Sequence, residues 1–361
     1  MKTKNMLLLA ALFLLCVETF AQSDKKKEAY DLGMRAIQLM DKGEIAQSIE
    51  LLEEAKKLDP DNIDYPYEIA YAHYLNKDYK QSIKLSNQLL KHPNVNDRVY
   101  QILGNSYSLS GDRDGAISTY EKGIQVFPTS GKLYLERGNM ELFIKDYDKA
   151  LGFYEKGIEV DPRFPSNYYR AAKLYLNSEQ EVWGMIYGEL FMNLERNSQR
   201  TVEISKLLYD TYKSELKFTN DSTFSISFCS NVIVINDLNS ITNALMPFGN
   251  AVYEQTLLLS MLNTKEVNCN TLNDIRRNFV QLYFVNNHDK AYPNALFSYQ
   301  QKVEKAGHAE AYNHWILMKG DEACFDAWQS NNVSKWEAFA EWFQANPLQL
   351  SPSNKFFRGQ Y

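Results

Sequence analysis

The densest run of chemistry-bearing side chains in the sequence is GHAEAYNHW at 307–315. Two of the five histidines, His308 and His314, fall in it; His73, His92 and His288 stand apart. Glu310 and His314 are four residues apart, so on a helix they share a face, and His308 lies off that face. A zinc-protease helix needs two histidines four apart with glutamate beside the first, and this run does not supply them. The expectation is a hydrogen-bonded Glu310–His314 pair near a helix end, with no metal. No Gly-x-Ser-x-Gly elbow, phosphate-cradling glycine loop or dinucleotide fingerprint occurs. Asp221-Ser222 and His288-Asp289 are isolated dipeptides. The sequence therefore assigns no catalytic residue, no cofactor and no metal ligand. Because a catalytic triad is set by geometry rather than by chain order, residues 200–361 stay open to an enzyme or small-ligand-receptor role.

Beyond Cys16, the cysteines are Cys229, Cys269 and Cys324. Their spacing matches no zinc motif, and an odd number leaves at least one unpaired. Buried thiols acting as small apolar side chains are expected here. A Cys229–Cys269 disulfide is the alternative.

The elements that would position these groups read as mostly helical. TVEISKLLYDTYKSEL at 201–216 is a helix. STFSISF then alternates, with Phe224, Ile226 and Phe228 on one side, and VIVI follows at 232–235. Alternation followed by a β-branched run predicts a short hairpin turning through Cys229-Ser230-Asn231. Helices resume at 240–263, with a break at Pro247 and Gly249, and at 271–287, capped by Thr271. Four more span 294–306, 308–318, 321–330 and 334–345. Gly307 and Gly320 suit helix ends, and Ser334 with Glu337 suits a capping box. Four of the five tryptophans lie after residue 314. Trp336, Phe339 and Phe343 fall on one helix face, expected to be core; a sugar-stacking platform is the sharper alternative.

The first half of the chain repeats itself. GDRDGAISTYEKGIQVFP at 111–128 and KDYDKALGFYEKGIEVDP at 145–162 agree at ten of eighteen positions, at an offset of 34. GEIAQSIELLEEAKKLDP at 43–60 and KDYKQSIKLSNQLLKHP at 77–93 have the same shape. A constant period of this size marks stacked supersecondary units. Within each unit the apolar residues recur at helical spacing on either side of a polar break, which gives two helices. Pro60, Pro93, Pro128 and Pro162 close the second helix of each copy.

These residues resemble the tetratricopeptide repeat. The third copy carries Tyr100, Leu103-Gly104, Tyr107, Gly111-Asp112, Ala116, Tyr120 and Pro128. The fourth carries Tyr134, Gly138, Tyr147, Ala150, Tyr154 and Pro162. A fifth unit near 165–198 keeps Tyr168, Ala172 and Tyr175 before degrading to EVWGMIYGELF. The resemblance covers about half the chain. It implies an α-solenoid of helix–turn–helix repeats; with the helices and hairpin read above from the residues after 200, the expected fold is mainly α, the solenoid being followed by an α-rich C-terminal domain with a short β-hairpin. The resemblance also implies a concave groove lined by the first helix of each unit, which takes an extended peptide or a partner's helix. By register the groove positions are Tyr67, Tyr71 and Tyr74; Gln101 and Asn105; Leu135 and Asn139; and Tyr169, Arg170 and Lys173. Asn105 and Asn139 lie one period apart, and an amide offers both donor and acceptor to a ligand's backbone. Replacing both with alanine is expected to weaken binding and leave thermal stability unchanged. The family's Lys/Arg clamp for a terminal carboxylate is not expected. Its positions hold Gly33, Ile37 and Glu68, with Arg98 alone matching.

MKTKNMLLLAALFLLCVETFAQ has the layout of a secretory signal peptide: two lysines, a short apolar run, then small residues before a cut after Ala21. The apolar run is too short to span a bilayer. The expected organisation is a signal peptide at 1–21, a solenoid at 22–199 with four clear repeats and one degenerate, and an α-rich domain at 200–361. The net charge is −6, well mixed over 361 residues, which gives no electrostatic case for nucleic acid. The sequence thus reads as an exported protein of the periplasm, secreted or outer-membrane-associated forms being the other compartments. It binds a protein or peptide partner and has no transmembrane segment in the mature chain. The alternative is a repeat arm that carries a C-terminal enzyme or receptor domain.

Overall fold

The computed structural model of the chain describes residues 2–220, 223–230, 247–262 and 264–361. They form two compact units, Met1–Pro128 and Thr129–Tyr361. The division between units falls inside the repeat array, while the repeat pattern itself runs on into the second unit.

The first unit holds α1 (Lys2–Asp41), α2 (Ile45–Leu58), α3 (Asp64–Leu75), α4 (Tyr79–Leu89), α5 (Asp97–Leu109) and α6 (Arg113–Val126). Each helix packs on the next, and α3 also packs on α5. The second unit continues with α7 (Gly131–Phe143), α8 (Tyr147–Val160), α9 (Pro165–Tyr175), α10 (Glu181–Leu194) and α11 (Gln199–Glu215). Here α7 and α9 pack side by side, and α11 reaches α9. Among the described residues, no helix is long and apolar enough to cross a membrane.

The sequence period is written into the backbone. Gly43, Lys77, Gly111 and Lys145 all take positive φ, each one period from the last. They turn the chain between the two helices of a unit, and glycine does so at least cost. The aspartate that follows caps the second helix: Asp78, Asp112 and Asp146 accept from the backbone N–H of Gln81, Gly115 and Lys149. Such a cap satisfies an otherwise orphaned donor. The small residues Ala36, Ala70, Gly104, Gly138 and Ala172 are buried where helices cross. A Cβ on Gly138 would lie 2.5 Å from the Tyr154 ring, so only glycine fits there.

The segment EVWGMIYGELF is a buried helix rather than a decayed one. Every residue from Val182 to Asn193 in α10 is buried. A helix covered on all sides loses amphipathic periodicity, and with it the repeat signature. The covering elements after α11 are β1 (Leu216–Asn220) and β2 (Thr223–Ile226), then a π-helix Gly249–Glu254 running into α12 (Gln255–Ser260). They continue with α13 (Cys269–Val285), α14 (His288–Ala291), α15 (Ala295–Lys305), α16 (Ala309–Leu317), α17 (Glu322–Asn331) and α18 (Val333–Ala345). Phe339 and Phe343 are buried and Trp336 packs beside them, so that face is core, as expected.

Several local expectations are corrected. The hairpin pairs β2 with the segment before it, Leu216 opposite Ile226 and Phe218 opposite Phe224. The expected partner at 232–235 lies outside the described residues, as does the start of the helix expected at 240–263. Phe228 does not continue the strand; its N–H donates to Glu254 Oε1 at 2.6 Å. Asn268, not Thr271, caps α13, and Thr271 closes the capping box from inside the helix. Ser334 caps nothing, because α18 begins at Val333 after Asn332. Gly307 has positive φ as expected for a helix end, whereas Gly320 does not and instead packs against Tyr209. Cys269 is bonded to Cys324 and not to Cys229, which is buried and free.

Candidate functional site

In the first unit, α3 presents Tyr67, Tyr71 and Tyr74 at i, i+4 and i+7, which places them along one face. The rings run nearly parallel: Tyr67 and Tyr71 are 6.4 Å apart at 6°, and Tyr71 and Tyr74 are 6.0 Å apart at 16°. Opposite them, α5 presents Arg98, Gln101, Ile102 and Asn105. Together with Glu68 these residues line an open cleft of about 820 Å³. All five groove positions expected in this unit therefore meet in one place.

Arg98 lies over Tyr67, its guanidinium carbon 4.0 Å from the ring centre. Its charge is shared between Glu68 at 2.6 Å and Asp64 at 3.4 Å. The arginine that matched the carboxylate clamp is thus held by a glutamate standing at another clamp position. Sequence reasoning saw both residues and missed their pairing. Their separation of 30 residues, four short of one period, was the signal, since it puts them on neighbouring first helices.

In the second unit the expected positions are more enclosed. Leu135 and Tyr169 are buried. Glu203 of α11 accepts from the Tyr169 hydroxyl at 2.5 Å and pairs with Lys173 at 2.7 Å. Arg170 lies 5.8 Å from the Tyr169 ring centre, and Arg200, from α11, lies 5.0 Å from it. Glu203 had no repeat signal to reveal it, because α11 follows the array.

Asn105 and Asn139 serve the fold. Asn105 Oδ1 accepts from the Tyr120 hydroxyl at 2.5 Å, and Asn139 Oδ1 accepts from the Tyr154 hydroxyl at 3.0 Å. Asn139 also donates to Glu136 at 3.1 Å. Replacing the two asparagines would therefore remove hydrogen bonds within the repeats.

The GHAEAYNHW run is corrected as well. Glu310 does not bond His314; it accepts from Trp328 Nε1 and from Lys335 Nζ, both at 2.8 Å. His314 stacks on Trp328 with ring centres 4.4 Å apart, and its Nδ1 is buried without a hydrogen-bond partner. Burial pushes its pKa down to about 4, against a smaller upward pull from Glu310 and Asp274. His308 packs 5.2 Å from Trp342. Among the described residues, no three His, Cys, Asp or Glu side chains gather to hold a metal.

Between the second repeat region and the C-terminal helices lies a buried polar network. Arg276 of α13 makes two bonds to the Glu189 carboxylate of α10, at 2.7 and 3.0 Å, and both side chains are about 5 % exposed. Tyr312 and Gln300 also donate to Glu189, and Asn313 accepts from Arg276. Glu189 and Arg276 are paired within the protein, and the network pins α10 to α13, α15 and α16; Gln300 Oε1 is buried without a hydrogen-bond partner.

Residues 97–130 and 131–164 each match the family model described as tetratricopeptide repeat. No curated protein matches the sequence. Among solved structures, the chain is similar to a thermophilic tetratricopeptide-repeat protein of Thermus thermophilus, with 17% identity and a TM-score of 0.42 over 50% of this chain and 98% of that one. It is similar to the pilF protein of Pseudomonas aeruginosa, with 17% identity and a TM-score of 0.43 over 53% and 86%. It is also similar to YrrB, described as having an unusual peptide-binding site, with 16% identity and a TM-score of 0.33 over 52% and 97%. The periodic turns, the capping aspartates and the family match together identify residues 97–164 as two tetratricopeptide repeats in tandem.

Proposed function

We propose that the protein is an exported interaction adaptor that holds an extended segment of a partner protein in the cleft between α3 and α5. The observation that carries this reading is the convergence of Tyr67, Tyr71, Tyr74, Gln101 and Asn105 on one open cleft. Aromatic faces bury a ligand's apolar surface with little entropy loss, and neighbouring amides bond its backbone. Residues 200–361 act as a scaffold in this reading, since their aromatic side chains pack into a core and Glu310 and His314 engage Trp328 and Lys335. Export to an oxidising compartment such as the periplasm is supported by the leader and by the Cys269–Cys324 disulfide, because structural disulfides persist there.

The full chain, expressed in its host and used as bait against envelope extract, should recover a discrete protein that the Tyr71→Ala and Gln101→Ala variants lose while keeping their helical spectrum. Recovery of the same proteins by all three would remove the cleft from the binding role. Thiol titration of the exported chain checks the compartment. In denaturant it should give one thiol before reduction, from Cys229, and three after. A fourth thiol after reduction means Cys16 and the leader remain.

A further inference from the structure

The cleft between α3 and α5 already holds a guanidinium. Arg98 lies over Tyr67 in the cation–π arrangement, with two carboxylates at its edge. A ring quadrupole attracts a cation to its face, and carboxylates beside the ring add to that attraction. The same ladder continues to Tyr71, parallel to Tyr67 and half-buried, and among the described residues no cation lies over it.

The charge around the cleft is unbalanced. Beside the tyrosine ladder, Asp64 and Glu68 stand against the single guanidinium of Arg98, and neither α3 nor α5 has a lysine. The one histidine, His73, turns to Asp78 at 3.3 Å. Two carboxylates stand against one cation, so an incoming anion meets net repulsion and an incoming cation meets net attraction.

Resting on the adaptor reading above, we propose that the cleft recognises a cationic side chain, arginine before lysine, in an extended segment of the partner. The guanidinium stacks on Tyr71 as Arg98 stacks on Tyr67, and Asp64 and Glu68 complement its charge. Arginine is preferred because its planar, weakly hydrated head stacks on a ring, whereas an ammonium does so less well.

The test starts with a displayed library of random linear dodecapeptides selected on the immobilised full chain. Recovered peptides are sorted by whether Tyr71→Leu loses them. One Tyr71-dependent peptide is then synthesised with each arginine in turn replaced by citrulline, a neutral side chain of the same shape. The expected result is an arginine at a common position whose replacement weakens binding about tenfold. That arginine-to-citrulline ratio should shrink in Asp64→Asn and Glu68→Gln. Asp64 is exposed, so its variant tests the charge without risk to the fold. Tyr71-dependent peptides that bind equally with citrulline would overturn this inference and leave the adaptor reading standing. The absence of any Tyr71-dependent peptide would overturn both.

Discussion

Tyr154 on α8 donates its hydroxyl to Asn139 Oδ1 on α7 at 3.0 Å, and one period earlier Tyr120 on α6 donates to Asn105 on α5. In both units the tyrosine lies over a glycine of the first helix, Gly138 or Gly104, where a side chain would collide with the ring. The two units thus share a three-part device: a small residue, a ring that fills the space above it, and an amide that takes the hydroxyl.

The Asn139 amide should therefore matter to stability. Asn139→Ala leaves a buried hydroxyl seeking a partner and should cost about 1–3 kcal/mol in urea unfolding. Tyr154→Phe removes the donor and should cost about 1 kcal/mol. The double variant should be more stable than the sum of the single losses implies. Strict additivity in that cycle would show that the bond contributes nothing. Gly138→Ala should cost a further ~1–3 kcal/mol by overpacking against the ring.

Arg276 and Glu189 form a buried ion pair, and their removal should be asymmetric. Arg276→Met strands a buried carboxylate and should destabilise the protein by about 3–5 kcal/mol. Replacing both, as Arg276→Met with Glu189→Leu, should recover much of that loss, because no uncompensated charge remains. Calorimetric melting of Arg276→Met, Glu189→Leu and the double variant distinguishes this from a purely steric role, in which the double variant would be the least stable.

His314 gives the protein a defined acid sensitivity. Its folded pKa near 4 lies below the usual 6.5, because burial favours the neutral ring. Protonation therefore favours the unfolded chain. The stability that neutral His314 contributes is complete above pH 6.5 and is lost as the pH falls from 6.5 to 4, by roughly 3 kcal/mol in all. His314→Phe should remove that slope. Measuring unfolding free energy for both proteins at intervals across this window checks it: a constant difference between them would show that His314 does not titrate with folding.

The repeat array was legible because its signals are local and recur. Turn, cap, small residue and closing proline each sit within one unit, and each is confirmed by its neighbour one period away. The groove positions on α3 and α5 followed from the same register. The rest depends on contacts distant in sequence. Cys269 and Cys324 are 55 residues apart, and nothing in their flanks favours that pairing over Cys229–Cys269. Glu189 and Arg276 belong to different regions and share no register. LKFTN at 216–220 alternates only over Leu216 to Thr219, directly after a helix, and becomes a strand by pairing with Thr223–Ile226. The C-terminal aromatics were correctly expected to be core, since their helical spacing was local. The roles of Glu310 and His314 were not, because Trp328 and Lys335 come from later helices.

The Cys269–Cys324 bond also fixes how this chain would behave under tension. It closes a loop of 55 residues that force applied at the two ends cannot extend. At about 3.5 Å per residue, a fully stretched oxidised molecule would be shorter than a reduced one by about 190 Å. For an adaptor tethered between two bodies, the disulfide sets the maximum reach after the helices have given way.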